Sequence, residues 1–339
     1  MKPIRKSWLY AFVLILGVPI SATGVQAKAK PYDLGELPDG FEVRWPNGPR
    51  YDRTIEVATA EEFNAAAATG HTKILVTADI PSTVSIAASH TEVRMAEGVT
   101  VHGLAIAKGV RRIRVRGGRF GAGGIEMAYP TVYFPTKTTD EAWQIQDVLF
   151  DGIEVNAAAD RTALNLRGHR VAVVNSRLRG GEYAIWSDTT EPLVNSDVII
   201  AGNVLQSEGD QSVLRLVGVH NSVTVENRIE DLLLTGRKHA YRVHGESDQV
   251  FAARNVLVNG GTMFGTMPGD VIGEMWFEDN DLHHATEDLF HPEPSTVLRL
   301  SAHGNIAFSA RSCFLCVQPP AEWDVSDNEL LPYEPAPAE

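Results

Sequence analysis

The sequence holds little cysteine: Cys313 and Cys316, in "SCFLCV", are the only two in 339 residues. A disulfide-dense scaffold is excluded by that count. A C-x-x-C pair with neither a βαβ context nor a second ligand pair argues against thioredoxin-like redox and zinc chemistry. The pair is either a local disulfide or two packed thiols. Positive charge is also scarce, with 30 Lys and Arg against 43 Asp and Glu, a formal charge of −13. Such a surface disfavours nucleic acid and anionic membranes as partners. It repels an anionic polymer as well, unless a local basic patch or a divalent cation intervenes. Long apolar runs are missing after residue 27, so no later stretch is expected to span a bilayer.

The first 27 residues combine a basic start (Lys2, Arg5, Lys6), an apolar stretch from Trp8 to about Ile20 and a small-x-small ending, "VQA". This is the pattern of a signal peptide cut after Ala27, which implies a secreted or periplasmic protein. Its removal takes away three basic residues and no acid, and moves the formal charge from −13 to about −16. Residues 28–50, rich in Pro and Gly, read as an extended leader. Residues 51–71 hold a first strand and a short helix, "TAEEFNAAAATG". Thr59 and Glu62 form a capping box there, Gly70 stands in C-cap position, and Phe63, Ala66 and Ala67 make the apolar face. Residues 332–339 read as a disordered Pro-rich tail.

Between these ends the chain repeats itself. "SDVIIAGNVL", "NSVTVENRI", "DQVFAARNVL", "GEMWFEDNDL", "RLSAHGNIAF" and "EWDVSDNEL" share alternating apolar residues, then a polar turn containing Asn, then another apolar residue. The Asn residues are 203, 227, 255, 280, 305 and 328, at spacings of 24, 28, 25, 25 and 23. Degenerate copies precede them in "RRIRVRGGRF", "QDVLFDGIEV" and "HRVAVVNSRL". A period near 25 means a solenoid, and an internal period of two means that its units are strands. An Asn in the same turn of every coil can bond its amide to the coils above and below, and tolerates a left-handed backbone. The pattern resembles the right-handed parallel β-helix of the pectate-lyase-like superfamily over about residues 72–331. That resemblance implies an all-β, single-stranded solenoid forming one domain, with the short N-terminal helix covering its first coil. The same fold carries lyases, hydrolases, epimerases and adhesins, so it leaves function open.

A second strand precedes each Asn-bearing turn, in "GIEMA", "ALNLRG", "AIWSD", "VLRLVG", "YRVHG" and "MFGT". Flanking apolar residues pointing inward leave Glu126, Asn165, Trp186, Arg215, Arg242 and Phe264 facing out. Two residues further on, the same face carries Arg167, Asp188 and His244. Such a column suits an acidic sugar chain: Trp186 stacks on a pyranose face while Arg215 and Arg242 pair with its carboxylate. The bland alternative is a solvated face on which the two arginines are paired with Asp188, Glu246 or Asp248. Insertions on one side tip the balance toward a groove. The longest of them carries Tyr129, Tyr133, Phe134 and Trp143.

β-Elimination from a uronic-acid polymer needs a neutralised carboxylate, a base for the adjacent proton and an acid at the leaving oxygen. Arg215 or Arg242 can neutralise, and Lys238, His239 or His244 can be the base. "YRVHG" resembles the "RHG" catalytic-arginine segment of the alginate and chondroitin lyase family. That resemblance implies roles for Arg242 and His244 only, because Val243 stands between them and the family's Asn-Lys-Ser segment is absent. A hydrolase would need two bracketing carboxylates. Glu126 and Asp188 stand about two coils apart, but the twin-Asp and His-Gly pattern of polygalacturonases is missing. A noncatalytic carbohydrate-binding or surface-interaction protein, or a glycoside hydrolase or epimerase on the same fold, remains the alternative. Calcium is left open by Glu278, Asp279, Asp281, Glu287 and Asp288, whose spacing fits no metal loop. His283, His284 and His291 make no zinc ligand set. The expectation is a monomer acting on an acidic polysaccharide.

Overall fold

The computed structural model describes residues 31–127, 145–187, 195–233, 239–267, 269–292, 297–309, 313–315 and 319–332. The signal-peptide reading, the aromatic insertion, Asp188, Lys238, Cys316 and residues 333–339 fall outside them. From Pro31 onward the chain forms one compact unit. It is built almost wholly of parallel strands, in one twelve-stranded and one seventeen-stranded sheet.

The pairings divide the larger sheet into two ladders. One stacks Ile80–Ile86, Thr100–Ile106, Arg119–Met127, Leu164–Leu166, Ile185–Ser187, Leu214–Val217, His239–His244, Thr262–Gly265 and Phe290–His291. The other stacks the short strands that follow each ladder Asn, such as Val204–Ser207 and Arg228–Asp231. Three strands per coil, each paired with its counterpart one coil away, make a three-faced parallel β-helix.

Alternation explains the core. Ile125, Leu164, Ile185, Leu214, Tyr241, Phe264 and Phe290 occupy one register position on successive coils and are all buried. Toward the C-terminus this column becomes aromatic, with Phe264 and Phe290 stacked at 5.3 Å. The Tyr241 hydroxyl lies 3.2 Å from Thr224 Oγ1 inside the core, and burial pushes its pKa well up.

The asparagine ladder is continuous. Asn203, Asn227, Asn255, Asn280 and Asn305 each donate from Nδ2 to Oδ1 of the next Asn at 2.8–3.0 Å, ending on Asn328. The same oxygens accept the backbone N–H of the preceding Asn, and each amide also donates to a carbonyl one coil back, as from Asn255 to Thr224. Buried amides are thereby satisfied without water. One detail differs from expectation: the left-handed backbone falls on the residue before each Asn. Gly202, Glu226, Arg254, Asp279, Gly304 and Asp327 have φ between 51° and 65°. The Asn itself is held in register by its amide bonds, so its neighbour takes the turn.

The leader is extended and packs on the outer face of the twelve-stranded sheet. That face is apolar across Leu149, Ala172, Ile199, Val223 and Phe251, which explains why these strands lack alternation in burial. Leu34 and Phe41 cover it, and Phe41 sits edge-on to Trp276 at 5.6 Å. Polar clips fix the leader. Arg44 N–H donates to Asp197 and Asn47 N–H to Asp147, while Arg254 donates to the Leu34 carbonyl. Asp147, Arg170, Asp197, Asn221 and Gln249 all have positive φ at the start of successive strands, outside the regular pairing.

At the N-terminal end the helix Ala60–Ala67 has the full capping box between Thr59 and Glu62 and buries Phe63, Ala66 and Ala67 against the first coils. Asn64 ties it to the second coil through the Ser85 N–H. Its C-cap is Ala68, and Gly70 makes the left-handed turn two residues later.

Candidate functional site

The outward residues of the first strand ladder, the one running from Ile80–Ile86 to Phe290–His291, form the candidate site. Glu126, Asn165, Trp186, Arg215 and Arg242 stand in consecutive register, each half-buried. Adjacent strands lie about 4.8 Å apart, so the five positions span roughly 20 Å. Asn165 donates to Glu126 at 2.9 Å. Arg167 lies two residues past Asn165 and is half-buried.

Phe264 does not join this column. It pairs with Tyr241 rather than with Arg242 and is fully buried. Gly265 stands beside Arg242 instead, followed by His291 on the next coil. The sequence alignment of "MFGT" is one residue out of register, and one residue exchanges the two faces of a strand. Gly265 also makes room: a β-carbon there would lie 2.3 Å from Cδ2 of His239.

Arg215 and Arg242 are in register on adjacent coils. Among the described residues neither has a carboxylate within ion-pair distance, and the Nε of each is buried without a hydrogen-bond partner. Of the carboxylates considered from sequence, Glu246 is exposed. Asp248 accepts the backbone N–H groups of Gln249 and Glu274. Burial, and then Arg215, hold the Arg242 pKa below its usual range. Two guanidinium charges about 5 Å apart repel by roughly 3 kcal/mol at an effective dielectric of 20. An anion placed between them would relieve that cost.

Both flanks of the arginine pair carry functional groups. On one flank Tyr183 stacks on Trp186 at 5.5 Å, receives a hydrogen bond from Arg215 Nη1 at 3.1 Å and donates to Gln211 at 3.3 Å. Burial raises its pKa although Arg215 opposes this, so the phenol is protonated at neutral pH. Glu182 beside it is raised by burial and then by Asp210. His239 lies on the same flank. Burial first, then Arg242, His291 and Arg215, lower its pKa to about 4, which makes it a neutral imidazole.

On the other flank His244, in register with Val217, approaches Asp270, Nδ1 to Oδ1 2.5 Å. Asp270 also accepts the N–H of Gly245 and of Met267, each at 2.9 Å. Burial would raise the Asp270 carboxyl, but the His244 and backbone hydrogen bonds bring it below the usual range.

Sequence reasoning missed Tyr183 and Asp270. Tyr183 stands three residues before Trp186 as His239 stands three before Arg242, a repeat visible once the coils are aligned. Asp270 follows His244 by 26 residues, one coil period, which is the only signal that it had.

Among the described residues no group of three or more His, Cys, Asp or Glu is arranged to hold a metal ion. The acids at 278–281 and 287–288 do not converge on a calcium site. Asp288 pairs with His291 at 3.0 Å. Cys313 is disulfide-bonded. No helix among the described residues is long and apolar enough to cross a membrane.

No protein-family model and no curated protein matches the sequence. Among solved structures, the alginate lyase from Paenibacillus sp. str. FPU-7 superposes with a TM-score of 0.61 at 14% identity, over 80% of this chain and 99% of that one. The GH136 lacto-N-biosidase from Eubacterium ramulus matches at 0.42 and 10% identity, over 76% of this chain and 62% of that one. A pectate lyase from Xanthomonas campestris matches at 0.29 and 12%, over 77% and 81%. At such identities the first of these establishes fold alone, and the other two add nothing to it. The chain adopts a parallel β-helix fold, as that alginate lyase does.

Proposed function

We propose that this protein is an exported enzyme that binds an acidic polysaccharide along the Glu126–Arg242 column and cleaves it by β-elimination. The observation that carries the reading is the Arg215–Arg242 pair, in register and without a carboxylate partner among the described residues. Two bidentate donors at this spacing match a uronate carboxylate and withdraw its charge, which acidifies the neighbouring C–H. Trp186, braced by Tyr183, offers a stacking platform for the adjoining ring. His239 and His244 flank the pair as bases, and Lys238 belongs to the same candidate set. The likeness to an alginate lyase fold supports a polysaccharide as substrate.

The test is a screen of alginate, pectate, chondroitin, heparin and hyaluronan for the ultraviolet absorbance of an unsaturated product. Arg242→Ala is expected to weaken retention of the cleaved glycan roughly 10- to 100-fold, the loss of a charged hydrogen-bond pair. Retention without any unsaturated product would make the protein a binding module. Unchanged affinity and turnover in Arg242→Ala would remove the site assignment.

A further inference from the structure

We infer that His244 is the proton-abstracting base of this site and that Asp270 is its positioning residue. The inference rests on the elimination reading and assigns one role within it. Asp270 is buried, with 6% of its surface exposed, and it is saturated by donors. Oδ1 takes His244 Nδ1 at 2.5 Å and Gly245 N–H at 2.9 Å, and Oδ2 takes Met267 N–H at 2.9 Å. Two backbone donors anchor the carboxylate whatever the imidazole does, so its direction is set by the fold. A carboxylate can only accept. The proton shared with His244 therefore resides on Nδ1, and in the neutral ring Nε2 is the nitrogen with the lone pair, free to act as the base.

The side chain of His244 is 27% exposed, enough for substrate contact. Its place two residues beyond Arg242, on the same outward face, puts it beside a carboxylate held by Arg242. His239 is the poorer base: burial and the surrounding cations make its imidazole weakly basic. In the step, Nε2 takes the proton from the carbon next to the neutralised carboxylate. The electron pair of that C–H bond becomes the new C=C bond as the bond to the leaving oxygen breaks. Water protonates the departing oxygen, and the resulting hydroxide takes the proton from the imidazolium.

Long-range proton–nitrogen correlation spectra of protein labelled with 15N-histidine read the tautomer directly. The wild-type protein should show His244 as Nδ1–H. In Asp270→Asn the carboxamide retains an acceptor for one backbone N–H and can present its NH2 to the imidazole, so His244 should switch to Nε2–H. With the glycan that the wild type cleaves, kcat should fall on the order of 100- to 10,000-fold and KM by no more than a few-fold. A residue that merely pins the turn would lower stability and leave tautomer and kcat in place. An Nε2–H tautomer in the wild type, or an unchanged kcat after the switch, overturns the assignment. Failure of Asp270→Asn to fold leaves the wild-type tautomer and the turnover of His244→Gln as the deciding measurements. Absence of turnover on every anionic glycan, with the Nδ1–H tautomer present, removes the elimination reading and the catalytic role together; the positioning contact would stand.

Discussion

Replacing His239 should flatten the acid limb of the stability profile. Its imidazole has a pKa of about 4 in the fold against an ordinary 6.5, chiefly through burial and then through Arg242, His291 and Arg215. The unfolded chain therefore takes up its proton first as pH falls. Above pH 6.5 neither state carries it and the site costs nothing. Between 6.5 and about 4 the unfolded state is progressively favoured, and below that the loss is complete. A shift of about 2.5 units corresponds to about 3 kcal/mol. Urea unfolding of wild type and His239→Asn, at pH 7 and at pH 4, isolates this contribution, because His90 and the carboxylates titrate in both proteins. The wild type should lose about 3 kcal/mol more than the variant between the two pH values. Equal losses would mean that the ring reaches solvent when charged, and would refute the reading of His239 as a neutral group beside the arginine pair.

Two further outcomes follow from packing. Asn255→Ala removes the acceptor of the Asn227 N–H and the donor to the Thr224 carbonyl; with both left buried, chemical denaturation should show a loss of roughly 2–4 kcal/mol. Gly265→Ala forces the His239 ring away from a β-carbon that would sit 2.3 Å from it. Histidine NMR should then report a higher His239 pKa while far-ultraviolet circular dichroism stays unchanged, and an unmoved pKa would count against the close packing.

The asparagine ladder shows why so much of the fold was legible. Its spacing, the period-two strands and the Thr59–Glu62 capping box are local patterns that reappear at every coil, and repetition averages out irregularity. The leader was less legible. Its role depends on an apolar outer face that no single strand announces, since a strand buried on both sides shows no alternation. At the site, the alignment that placed Asn165, Trp186, Arg215 and Arg242 in one column depends on counting within coils. It went wrong at Phe264, where the count slipped by one.

The sequence by itself therefore determined the solenoid, its asparagine turns, its helical cap and the row on which Arg215 and Arg242 stand, because each is set by spacing along the chain. Only the tertiary structure decided that the two arginines keep their charge unpaired among the described residues, and that Gly265 shelters His239. It alone brought Tyr183 and Asp270 to the two flanks. Those contacts join residues a full coil apart through loops of variable length, and their burial, which sets their chemistry, exists only once the coils have stacked.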